Sequence, residues 1–202
     1  MEIKKENRYD YAYLKLALEW SKLSYCSRKK VGSLIVKNNM IISDGYNGTP
    51  TGFNNICENN KGISHWYVLH AEANAILKTA KSNHNCSGAT LYLTLSPCKD
   101  CSKLIHQAGI KRLVYIDQYK DKSGLDFLKE AGVTIKQVKK LDLSDLNKLR
   151  DIMTKYVGVE REQKGLEEAY RLVKEIYLKY NIDGFKNNTI ITALLIIKSA
   201  IN

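Results

Sequence analysis

Two short runs hold most of the reactive side chains in this sequence: "LHAEANAIL", residues 69–77, and "SPCKDC", residues 96–101. The chain has only four histidines and five cysteines, yet His70 and Glu72 share one run and Cys98 and Cys101 the other. Zn²⁺ takes imidazole nitrogen and thiolate sulfur in a tetrahedron, and a catalytic site keeps one of the four positions for water or substrate. His70, Cys98 and Cys101 supply three ligands. Glu72, two residues beyond His70, sits where a carboxylate can take a proton from an attacking water and return it to a substrate. Plainer readings compete. A single histidine near a helix start is usually structural, and a lone Cys-x-x-Cys can be a redox pair or half of a closed zinc site. A thioredoxin-like motif follows the first strand of its domain, whereas this one follows the third. A closed site wants a fourth Cys or His and has no use for a neighbouring glutamate. The open, catalytic site is the reading that uses all four residues.

The elements that must position these residues follow from periodicity and turn chemistry. Residues 9–25 repeat apolar side chains at helical spacing, with Leu14, Ala17, Leu18 and Leu23 along one side. The β-rich runs 31–37 and 40–46, separated by "NN", predict a hairpin. Residues 47–65 are rich in Gly, Pro and Asn and predict a loop. A helix is expected over 70–81, a strand over 89–95, and a helix through about residue 108 with Pro97 in its first turn. A strand over 112–116, a short helix ended by Gly132 and a strand over 133–138 complete the pattern. In this layout His70 begins one helix and Cys98 and Cys101 lie in the first turn of the next. Ligands three apart share a helical face, and helix N-termini stabilise thiolates. The fold class implied is α/β: a mixed five-stranded sheet flanked by helices, in a domain over 1–155. Residues 156–202 form a separate expectation, a C-terminal helical extension. Leu166, Ala169, Val173, Ile176 and Tyr180 mark one amphipathic helix, and "TIITALLIIKSAI" a second. Their apolar faces are expected to dock on the domain or on a neighbouring subunit.

The bulk composition narrows the classes. A hydrophobic content of 44% and a charged content of 26% suit a globular protein with an ordinary core. The net charge of +11 favours anionic partners. The lysines are scattered, however, and no block reaches the length of a nucleic-acid-binding tail. Phosphate on a small substrate fits this balance. The polar start "MEIKKENRYD" lacks the apolar core of a signal peptide, and the longest apolar stretch is too short to span a bilayer. An odd cysteine count suggests metal-binding or free thiols in a reducing cytoplasm.

Beyond the zinc signature, "SYCSRKKVGSLIV", "GYNGTPTGFNNIC", "HAEANAI", "LYLTLSPCKDC" and "AGIKRLVYIDQY" together resemble the cytidine and deoxycytidylate deaminase superfamily over roughly residues 9–140. "GYNGTPTG" is similar to the deoxycytidylate (dCMP) branch in particular, and residues 150–202 match no pattern. The resemblance implies a cytidine-deaminase-like fold and hydrolytic deamination of dCMP to dUMP and ammonia. It implies zinc on His70, Cys98 and Cys101, with Glu72 as proton shuttle. Asn47 resembles the asparagine that contacts the sugar, and Arg28 and Tyr119 lie where relatives approach the 5′-phosphate or an effector. Many relatives are hexamers controlled by dCTP and dTTP, so a homo-oligomer with such effectors is an expectation here. Some members hold a second zinc, and Cys26, Cys57 and His65 sit at three of its ligand places. Val68 occupies the fourth.

Two other functions fit parts of the sequence. A deaminase acting on another cytosine nucleotide, on tRNA or on single-stranded DNA suits the basic charge, but "YNGTP" and the lack of a basic or aromatic run near the site oppose polynucleotide. A non-catalytic zinc-stabilised binding module leaves Glu72 without a purpose.

Overall fold

The computed structural model describes residues 5–138 together with Glu168 and Arg171. The extension expected over 156–202, with its two helices, therefore lies outside the described residues except for those two positions. The described elements run α1 (Lys5–Ser21), β1 (Gly32–Lys37), β2 (Met40–Tyr46), α2 (Ala71–Ala80), β3 (Thr90–Leu95), α3 (Lys99–Gln107), β4 (Arg112–Asp117), α4 (Ser123–Glu130) and β5 (Thr134–Gln137). Tyr9–Val138 make up one unit of the chain.

The five strands form one sheet in the order β2-β1-β3-β4-β5. β1 runs antiparallel to both β2 and β3, while β3–β4 and β4–β5 are parallel. This is the expected mixed sheet, in a specific order. Alternation along the strands divides the core in two, because successive side chains leave opposite faces. Ile35, Leu91, Leu93, Leu113 and Tyr115 pack with Ala75, Ile105, Leu125 and Leu128 of α2, α3 and α4. Leu34, Val36, Tyr92, Val114 and Ile116 face the other way, onto Tyr13, Leu14 and Ala17 of α1. The hairpin turn is made by Asn38 and Asn39 at φ 52° and 61°. Asparagine tolerates this left-handed pair, which matches the twist of the flanking strands.

Helix boundaries differ from the sequence expectation at α1, which starts at Lys5 rather than residue 9, and at two further points. α1 ends at Ser21, whose hydroxyl turns back to the Leu18 carbonyl at 2.7 Å. Leu23, expected on the buried side of a longer helix, is instead 53% exposed. α3 begins at Lys99 with Cys98 as its N-cap, so Pro97 lies just before the helix rather than in its first turn. The restriction proline places on its predecessor, together with its fixed φ, suits that entry equally well.

The arrangement sets up a site. Parallel strands β3 and β4 end side by side at Leu95 and Asp117, and the chain continues into Ser96–Cys98 and Gln118–Lys120. Ligands of open α/β sheets bind outside the carboxyl ends of strands where the strand order reverses. Here β3 has an antiparallel neighbour on one side and a parallel one on the other.

Candidate active site

His70 and Cys98 are the N-caps of α2 and α3, and both hold extended backbone (ψ 157° and 168°). Neither side chain caps its own helix, so imidazole and sulfur stay available to a third party. Each helix closes its first turn through the cap carbonyl instead: Asn74 N–H donates to His70 O at 3.0 Å, and Ser102 N–H to Cys98 O at 2.9 Å. Cys101, one turn along α3, is buried at 5% exposure. The two helices thus point their N-termini, and their partial positive ends, at one spot.

His70 Nδ1 lies 3.5 Å from Cys98 Sγ and 3.4 Å from Cys101 Sγ. The three ligand atoms all fall within 4.8 Å of one another. Zinc–nitrogen and zinc–sulfur bonds of about 2.05 and 2.3 Å at a tetrahedral angle put N and S about 3.6 Å apart. The donor set therefore fits zinc in both chemistry and spacing, with the fourth position left to a non-protein ligand. Among the described residues, this is the one group of three or more His, Cys, Asp or Glu gathered for a metal.

The electrostatics agree. A hydrogen bond from the Cys101 thiol, with help from His70, holds the Cys98 thiol well below its usual range despite partial burial. The shared proton, burial and the Glu72 carboxylate push Cys101 up in turn. The pair thus favours a thiolate at Cys98, the form in which a cysteine binds a metal. Glu72 is 4% exposed. Burial raises its pKa above the ordinary carboxylate value, against the opposing pull of its own backbone amide and of His70. A carboxyl group shifted upward holds a proton more readily than an exposed one, as a proton carrier must.

His70, Glu72 and Cys98 line a cavity of about 630 Å³, a size suited to one small ligand. Arg28 and Tyr119 both line it, as does Asn47. Asn47 is largely committed, however: its Oδ1 accepts from Val31 N–H at 2.8 Å, and its Nδ2 donates to Lys29 O at 2.8 Å. It holds the Lys29–Val31 segment in place. Arg28 is exposed at the mouth, its backbone N–H bonded to Glu58 at 3.2 Å. Tyr119 is fixed through its backbone N–H to Ser96 Oγ at 2.8 Å. Sequence reasoning passed over Lys29, Trp66, Gln118 and Lys120, which also line the cavity. Adjacency was the available signal, since three of the four flank Arg28 or Tyr119 directly.

The second zinc set meets a different outcome. Cys26 and Cys57 are joined in a disulfide, and both are buried. Two of the three residues of the expected second zinc set thus stand side by side, and Cys26 and His65 both line the cavity described above. His65 donates its backbone N–H to Cys57 O at 2.8 Å, and its ring stacks on Tyr67 with centroids 5.0 Å apart. The bridge ties the segment before β1 to the loop before α2.

Comparison with known proteins places this geometry. Residues 7–117 match the family model described as the cytidine and deoxycytidylate deaminase zinc-binding region. A deoxycytidylate deaminase of Enterobacteria phage T4 is 37% identical over 177 residues, covering 66% of this chain and 92% of its own. The deoxycytidylate deaminase of Saccharomyces cerevisiae is 35% identical over 64% of this chain and 44% of its own. A crystal structure of dCMP deaminase from the cyanophage S-TIM5, in complex with dCMP and dUMP, superposes with a TM-score of 0.63. It is 44% identical over 67% of this chain and 99% of the cyanophage chain. Among the described residues, no helix is long and apolar enough to cross a membrane. The chain belongs to the cytidine and deoxycytidylate deaminase family of zinc-binding enzymes.

Proposed function

We propose that this enzyme hydrolyses dCMP to dUMP and ammonia at a single zinc centre held by His70, Cys98 and Cys101. The observation that carries the reading is the approach of one imidazole nitrogen and two sulfurs at tetrahedral edge lengths beside a buried carboxyl group. The substrate assignment draws on the similar proteins named as deoxycytidylate or dCMP deaminases. Zinc, when bound, supplies Lewis acidity that brings the pKa of water down to about 7.

The protein's own residues account for the proton movements. Glu72 accepts a proton from the attacking water and passes it to N3 of the cytosine ring, which makes C4 electrophilic. After oxygen adds to C4, the same carboxylate takes the second proton from the new C4 hydroxyl and gives it to the amine, which leaves as ammonia as the C4–N bond breaks and the C4 carbonyl of uracil forms. Its raised pKa suits a group that must take up and release a proton in each of these two transfers. Burial keeps bulk water from taking that proton. Asn47 faces the sugar. Arg28 and Lys120 at the mouth offer the positive charge that a 5′-phosphate requires, and Tyr119 completes that wall. A homo-oligomer and control by dCTP or dTTP rest on the resemblance alone.

Incubating the purified protein with dCMP, cytidine, deoxycytidine and a cytosine-containing oligonucleotide, and measuring ammonia, tests the assignment. Turnover of dCMP well above the others is the expected result. Preference for the oligonucleotide would replace the reading with a polynucleotide deaminase. Metal analysis of the same protein should find one zinc per chain.

A further inference from the structure

The two halves of the metal centre belong to different helices, so something must fix each helix to within tenths of an ångström. Two glycines sit where that constraint is applied. Gly45, in β2 opposite Ser33 of β1, lies against the start of α2. A Cβ on it would come within 2.8 Å of both Ala75 N and Ser33 Oγ, and closer still to Ala71 O. Ala71 is the residue between His70 and Glu72. Its carbonyl accepts a hydrogen bond of 2.8 Å from the Ser33 hydroxyl, which is fully buried. Ser43 does the same one turn on, at Ala75 O and 2.6 Å.

Gly124, in the first turn of α4, plays the corresponding part for the other half. A Cβ there would sit 2.5 Å from Ser102 Oγ, 2.9 Å from Pro97 O and 3.0 Å from Cys98 C. Ser102, itself fully buried, holds the Cys98 carbonyl through its hydroxyl at 3.0 Å. Glycine inside a helix or strand costs about 0.5–1 kcal/mol relative to alanine, and neither residue has a positive φ that would demand it. Close approach of backbone to backbone is the remaining physical reason for a glycine at both places.

We propose that Gly45 and Gly124 are positioning residues of the metal centre. Gly45 sets the His70–Glu72 segment against the sheet, and Gly124 sets the Pro97–Cys98 segment against α4. The proposal rests on the zinc reading of the site. An alanine at either position pushes one ligand-bearing segment away from the other, and the N···S separations leave the range a tetrahedral ion accepts. Residues one step out from metal ligands typically change metal affinity by about 10–100-fold. Gly45→Ala should also move Glu72, and a displacement of about 1 Å at a reacting group can cost about 10²-fold in rate.

The test measures zinc affinity by competition with a chromophoric chelator, together with the visible spectrum of the cobalt(II)-substituted protein. It uses Gly45→Ala, Gly124→Ala and Leu14→Ala, each confirmed as folded by circular dichroism. Leu14 is buried against the opposite face of the sheet, so its truncation destabilises without touching either ligand segment. The expected result is zinc binding weakened about 10-fold or more and an altered cobalt spectrum in both glycine variants. Leu14→Ala should keep wild-type affinity and spectrum at a comparable loss of melting temperature. If Gly45→Ala fails to fold, Ser33→Ala, which only removes the hydroxyl from the Ala71 carbonyl, should weaken zinc in the same direction. Wild-type zinc affinity in the folded glycine variants overturns the proposal, as does an equal loss of affinity in Leu14→Ala. A wild-type protein that binds no zinc removes the underlying reading as well, so the two failures are distinct.

Discussion

At the scale of single residues, His70, Cys98 and Cys101 gather at one point with Glu72 beside them, a donor set that matches the few a zinc centre accepts. Their convergence needed no long-range information beyond two helix starts. Asn47 was harder, since an amide looks the same in sequence whether it faces a ligand or a backbone. The structure commits it to Val31 and Lys29. Cys26 and Cys57 are separated by 31 residues, and nothing local reveals that their sulfurs meet. Arg28 carries the first prediction. It is exposed at the cavity mouth, and a hydrogen bond to a charged group contributes about 1.5–3 kcal/mol. Arg28→Ala should therefore raise KM for dCMP about 10-fold or more while changing kcat little, and it should leave KM for deoxycytidine unchanged. Steady-state kinetics on both substrates check this. An equal rise for the two would remove Arg28 from the phosphate contact.

Elements were legible where one face is buried and the period is clear. The helix over Ala71–Ala80 and the five strands fall within a residue or two of their expected places, because amphipathic spacing and turn residues encode them locally. The order of strands in the sheet is decided by which faces cover which core, and local periodicity does not carry it. One tie between elements was equally hidden. Asp10 on α1, 1% exposed, receives both Arg112 guanidinium nitrogens at 2.8 Å, Lys136 Nζ at 2.8 Å and the Tyr92 hydroxyl at 2.9 Å. It thereby joins α1 to β3, β4 and β5. Burial alone would raise the Asp10 pKa, but Arg112, Lys136 and Tyr92 outweigh it and hold the carboxyl below its ordinary value. A depressed carboxylate contributes stability that is complete above the unfolded pKa and is lost as pH falls through the folded one. Asp10→Asn should thus lower stability by on the order of 3 kcal/mol near neutral pH. Its deficit relative to wild type should shrink below about pH 4. Urea unfolding at pH 7 and pH 3 measures both, and an undiminished deficit at pH 3 would contradict the assignment.

For the whole molecule, the net charge of +11 had two readings, a polynucleotide track or a field that favours a small anion. The cavity gathers Arg28, Lys29 and Lys120 among its lining residues, which favours the small anion. Lys29 is partly neutralised by Asp117 at 3.6 Å. Charges of this kind are exposed and screened over about 10 Å at 0.1 M salt. Raising ionic strength from about 0.02 to 0.3 M should lower kcat/KM for dCMP by on the order of threefold or more. Turnover of uncharged deoxycytidine should stay level. Parallel salt titrations decide it, and matching slopes for the two substrates would leave the basic rim without a role in capture.

The account stands most directly on Glu72. It is the buried carboxyl group beside the ligand set, and glutamine keeps its size while removing its capacity to carry a proton. The decisive measurement is dUMP formation by Glu72→Gln on protein whose zinc content has been determined in the same preparation. Zinc should remain at the wild-type level, because His70, Cys98 and Cys101 are untouched, while turnover falls by at least roughly 10²–10⁴-fold. Near-normal turnover with zinc in place would contradict the mechanism.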